Sequence, residues 1–316
     1  MAEEENNAPR HGGTFLAARV GALIDAMPGV LRRDAFENLT DGAITAGHWG
    51  LLAVALLGFL IQLVATVVHG FSAFVIGLGW LVALPLLQYV AVQFLDATRS
   101  MVTRQRTPLG SQAFLRSYAL VALVAAVVSL ALALGRGIDT GSLQVFLYGL
   151  GMTALCLATA WLALNPSLVG IRVSARTNAG EEAIGVLSFF VKTGVRLVPI
   201  FYGVAFVVGA IHALTALLGT IGDSSFELRQ AIARAELAAP LMVWAALSPF
   251  LAYIGFVFYS LVIDVLQSIL AIPGNVGGGA SRKKAAASRP ARKKRAASAS
   301  ASKKKTSASG ETTGGA

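Results

Sequence analysis

Two apolar runs early in the chain, residues 50–68 and 71–94, are separated only by His69 and Gly70. Taken as one helix, residues 50–94 would reach about 67 Å at 1.5 Å per residue, roughly twice the hydrocarbon core of a bilayer. The run must fold back, and Gly70 is the residue that tolerates the backbone angles of such a turn. Runs of similar length recur at 118–134, 145–164, 197–218 and 241–263. The fourth is closed by Asn165-Pro166, a pair that favours leaving a helix. Short and long links alternate, so the runs pair into three hairpins. The expected fold class is an all-α integral membrane protein of about six transmembrane helices.

Two further stretches carry helical amphipathic patterns. In residues 14–27, Phe15, Leu16, Val20, Leu23, Ile24 and Met27 share a stripe, with Arg19 inside it. In residues 181–196, Glu181, Ser188, Lys192 and Arg196 fall on one stripe and Ile184, Leu187, Phe190 and Val191 on another face. Such patterns predict helices lying in the lipid interface, the second leading into span five with Pro199 near the corner. The alternative for 181–196 is one long helix whose Lys192 and Arg196 snorkel to the headgroups. The chain then divides into an N-terminal segment 1–49, a six-span region 50–272 and a C-terminal tail 273–316. Residues 74–79 (FVIGLG) and 146–151 (FLYGLG) look alike at corresponding places in the first two hairpins.

Composition agrees with the periodicity. Hydrophobic residues make up 55% and charged residues 13%, against about 25% charged in soluble domains. Lys and Arg number 26 and Asp and Glu 16, a net of +10. Eleven of the basic residues and one acid, Glu311, lie beyond Pro273, so the rest of the chain is balanced. Basic residues near membrane ends are retained in the cytoplasm. The first 49 residues carry four, the links after spans two and four carry four each, and the tail carries eleven. The other side holds only Arg136, Arg229 and Arg234. Both termini are therefore expected inside the cell, most simply at the cell (inner) membrane, which requires an even number of spans.

The tail has a definite chemistry. Arg282, Lys283, Lys284, Arg289, Arg292, Lys293, Lys294, Arg295, Lys303, Lys304 and Lys305 are spaced mainly by Ala and Ser, with no aromatic among them. Such a segment cannot bury a core and is expected to be disordered. Over residues 281–305 its composition resembles the Ala/Lys tails of linker-histone-like proteins. Without aromatics there is no base stacking, so any nucleic-acid binding is phosphate-driven and blind to sequence. Anionic phospholipid headgroups are the adjacent polyanion, and each Lys or Arg near them contributes about 1 kcal/mol.

Inside the spans, polar groups are few. Gln62, Gln88, His212 and Asp264 could mark a polar path between helices, or each could make a helix–helix hydrogen bond. Small residues recur every four positions at Ala205, Gly209 and Ala213, and at Ala125, Ser129 and Ala133, stripes that let helices approach closely. Pro85 and Pro249 are candidate kinks in spans two and six. Cys156 is the one cysteine, and the four histidines show no metal-ligand spacing, so neither a cofactor nor a metal is expected. With no nucleophile–base signature, the expectation is a non-enzymatic membrane protein whose cationic tail binds anionic lipid or nucleic acid. The alternative is a small-solute or ion transporter or channel. Expected partners are the bilayer, anionic phospholipids, DNA or RNA through the tail, and a second copy of the chain.

Overall fold

In the computed structural model, residues 33–174, 178–220 and 225–287 are described, with backbone alone over 225–231, 234–238 and from 270 onward. Residues 14–27 lie outside the described residues. The elements are α1 (Arg33–His69), α2 (Phe71–Arg104), β1 (Thr107–Leu109), α3 (Gln112–Thr140), α4 (Leu143–Leu164), a 3₁₀ turn (Pro166–Val169), β2 (Ile171–Val173), α5 (Ala179–Gly219) and α6 (Ser225–Ala287). Among the described residues, six helices are long and apolar enough to cross a membrane. The chain divides into two units, residues 1–263 and 264–316. The first holds every element from α1 to α5 and most of α6; Asp264 and the end of α6 belong to the second.

The helices outrun their apolar runs. α1 begins at Arg33, well ahead of residue 50, and α2 continues to Arg104. Gly70, at φ 71°, turns the chain between them. Gly141, at φ 59°, caps α3, and the Ser142 hydroxyl then accepts from the Val145 N–H at the start of α4. α4 stops at Leu164, as Asn165-Pro166 predicts. α6 starts at Ser225 and passes through Pro240 into the last apolar run.

The reading of 181–196 as an interfacial helix needs correction. α5 is one helix through Pro199, and most of its polar stripe points inward. Ser188, Lys192 and Arg196 are buried and only Glu181, in the first turn, is exposed; on the other face Leu187 and Phe190 are exposed, Val191 is half-buried and Ile184 is buried. Snorkelling does not occur either, because both cations find acceptors inside the protein. An amphipathic pattern states that two faces differ. It does not state which face meets protein.

Small residues set the helix crossings, as expected where lipid removes the hydrophobic drive for association. α1 and α5 touch through Gly47 against the Tyr202 ring, Gly50 against the Phe206 backbone, and Gly203 against the Ala43 backbone. Gly149 of α4 meets Ala133 of α3, and Gly77 of α2 meets Gln62 of α1. Gly77 and Gly149 are equivalent positions in the two similar hexapeptides. The stripe at Ala205, Gly209 and Ala213 is only partly the contact. Gly209 packs on Met242 and Ala213 is buried, but Ala205 is half-buried and the closest backbone approach is at Gly203.

Candidate functional site

β1 and β2 form a small parallel sheet that no apolar pattern announced, with Thr107 opposite Ile171 and Leu109 opposite Val173. The sheet brings the α2–α3 link and the α4–α5 link to one end of the bundle, the basal end. Gly170, at φ 67°, turns the chain into β2; a Cβ there would lie 2.7 Å from the Gln105 carbonyl oxygen. α5 crosses β1 so closely that a Cβ on Gly185 would come within 2.5 Å of the Pro108 carbonyl oxygen.

Four polar residues on the inward face of α5 each hold a different element. The Glu182 carboxylate accepts from the backbone N–H groups of Gly110 (2.5 Å) and Ser111 (2.8 Å), at the start of α3. That is the favoured place for an anion, since the first N–H groups of a helix lack partners within it. The Tyr259 hydroxyl of α6 donates to the Ser188 hydroxyl. Lys192 is fully buried and donates from Nζ to the Gln105 carbonyl (2.7 Å) and Thr107 Oγ1 (2.8 Å). Arg196 donates through Nη2 to Glu37 Oε1 of α1, and its guanidinium lies over the Phe36 ring. Glu37 also receives Arg99 of α2 on its other oxygen at 2.5 Å, and Arg99 reaches Asp41 at 2.6 Å. Two carboxylates and two guanidinium groups thus close a neutral network joining α1, α2 and α5. Its chemistry is that of a clamp.

A second feature lies further along the helices, between α1, α2, α5 and α6. A cavity of about 310 Å³ is lined by Gly58, Gln62, Ile76, Trp80, His212 and Met242, among others. Gln62 is 9% exposed and His212 7%. Among the described residues, no Asp, Glu, Lys or Arg lines it.

The residues proposed from sequence are distributed unevenly. The structure brings Gln62 and His212 to this one cavity. Gln88 is half-buried on α2 outside the cavity lining, and Asp264 is exposed in the second unit. Arg282, Lys283 and Lys284 fall on the last turns of α6. Arg289, Arg292, Lys293, Lys294, Arg295, Lys303, Lys304 and Lys305 lie outside the described residues. Sequence reasoning missed the network of Glu37, Asp41 and Arg99. The signal available was two carboxylates four residues apart on one helix face, just before an apolar run. It also missed Gly58 and Trp80, which look like ordinary span residues until the helices are packed.

Compared with known protein families, curated proteins and solved structures, the chain matches none.

Proposed function

We propose that the protein is a non-enzymatic polytopic membrane protein whose cationic C-terminal segment binds anionic phospholipid headgroups. The observation that carries it is the charge distribution: eleven basic residues and one acid follow Pro273, while the preceding chain is balanced. Nucleic acid offers the same phosphate chemistry, but headgroups are always within reach of a segment attached to a spanning helix. The layout proposed is three hairpins with both termini in the cytoplasm, at the cell membrane. The basal end supports it. The sheet and the Glu37 network gather the start of α1, the end of α2, and both basic links on one side. Reporter fusions at the N-terminus, after Ser281 and at Gly222 test the layout; a cytoplasmic signal at Gly222 removes it.

The binding test uses the full-length protein in anionic nanodiscs. Shuffled duplex DNA sequences should bind equally when the discs are neutral, and fail to compete when they are anionic at near-physiological salt. The logarithm of DNA affinity should fall with a slope of about 0.9 per phosphate neutralised as the logarithm of salt rises. DNA binding to anionic discs under those conditions would give the segment to nucleic acid instead.

A second reading, a small-solute transporter, is favoured by one observation. Gln62 and His212, from different helices, share one cavity. Flux of a candidate solute into proteoliposomes, unaffected by truncation at Pro273, would select it.

A further inference from the structure

The cavity between α1, α2, α5 and α6 has a chemistry of its own. Among the described residues its walls are apolar apart from Gln62 and His212, and none of them is charged. A charged occupant would sit there without a counter-ion, at a large desolvation cost. Gln62 is more than nine-tenths buried, yet its side-chain amide has no hydrogen-bond partner among the described residues. A buried amide left unpaired is costly, more so in hydrocarbon, where water is absent. The cavity is about 310 Å³, roughly ten times a water's share of the liquid and the size of a medium-length alkyl chain. Ile76, half exposed on the apolar surface of α2, stands at its rim. Gly58 supplies the space: a Cβ there meets nothing within 4 Å.

We propose that this cavity binds one neutral, mostly apolar molecule carrying a single hydroxyl or carbonyl group, which enters from the bilayer and is recognised by the Gln62 amide. The proposal deepens the transporter reading by naming the class of molecule. It stands or falls on binding, whereas that reading stands on flux. Binding without flux removes transport alone.

The probe is a ten-carbon aliphatic alcohol bearing a diazirine, irradiated with the full-length protein in phosphatidylcholine nanodiscs. Labelled peptides are then mapped by mass spectrometry. Labelling should be saturable and fall on the α1 and α5 segments around Gly58, Gln62 and His212. Unlabelled 1-decanol should compete about three- to tenfold better than decane, the worth of one neutral hydrogen bond. Gln62→Leu should abolish that preference while leaving the labelling. Gly58→Phe should abolish the labelling, and Gly58→Ala should not. Gly58→Phe has open space to enter, so its thermal unfolding in detergent should match the parent, which separates a filled site from a lost fold. Labelling indifferent to the phosphatidylcholine-to-protein ratio supports the proposal. Competition that grows with that ratio gives the cavity to a zwitterionic bilayer lipid and overturns it. Non-saturable labelling spread over the bilayer-facing surface, labelling unchanged in a folded Gly58→Phe variant, or equal competition by decanol and decane would overturn it.

Discussion

Gly203 and Gly194 lie on the same helix, and the structure assigns them opposite responses to one added methyl group. At Gly203 a Cβ would fall 2.3 Å from the carbonyl oxygen of Ala43, with that residue's carbonyl carbon and Cα at 2.8 and 2.9 Å. All three are backbone atoms of α1, which cannot step aside as a side chain can. Relief requires α1 and α5 to separate, and their contact runs on through Gly47 and Gly50. Overpacking of this kind costs about 1–3 kcal/mol, occasionally more. At Gly194 a Cβ meets nothing within 4 Å, so Ala there brings only its better helix propensity, about 0.8–1.0 kcal/mol. Propensity acts at both sites, so the two variants should differ by the overpacking cost alone, about 1–3 kcal/mol, at 1.4 kcal/mol per factor of ten roughly five- to a hundredfold in the unfolding constant. The assay is reversible unfolding of the purified protein by sodium dodecyl sulfate from mild-detergent micelles. Propensity alone predicts that both substitutions stabilise. If Gly203→Ala proves as stable as Gly194→Ala, the α1–α5 crossing is not where the structure puts it.

Other contacts make comparable claims. Glu37→Gln leaves the buried Arg196 guanidinium, 3% exposed, without its carboxylate and should cost about 3–5 kcal/mol. Adding Arg196→Met should recover much of that in a double-mutant cycle, and a double variant no better than the single would locate the cost elsewhere. Glu182→Gln weakens the acceptor for Gly110 and Ser111 and should cost about 1.5–3 kcal/mol. Hydrogen exchange at those two amides should speed up, and unchanged exchange would mean the carboxylate does not cap α3. Gly209→Ala should be well tolerated, because its Cβ meets the flexible end of Met242 (2.4 Å to Sδ). Gly209→Leu should cost about 1–3 kcal/mol, and equal stability of both variants would place Gly209 at the lipid surface.

What the chain's own pattern settles is the number and place of the apolar helices. Spanning length, the Gly70 turn and the Asn165-Pro166 stop are local properties, governed by the bilayer's thickness and by backbone sterics, so they can be read without any partner. The concentration of charge beyond Pro273 is equally local. The direction in which each helix faces was not legible. Residues 181–196 carry a clear polar stripe, but a stripe has the same period whether it meets headgroups or the protein interior. The acceptors that draw it inward, Gln105, Thr107 and Glu37, lie 85 to 159 residues away in the chain. The same holds for Gln62. From sequence it is one amide in a span, free to pair with any neighbour. Packing gives it a cavity and no partner among the described residues, because Gly58 withholds the side chain that would have filled the space beside it. Periodicity decides which segments enter the membrane; which of their side chains meet is decided by crossings that depend on all the helices at once.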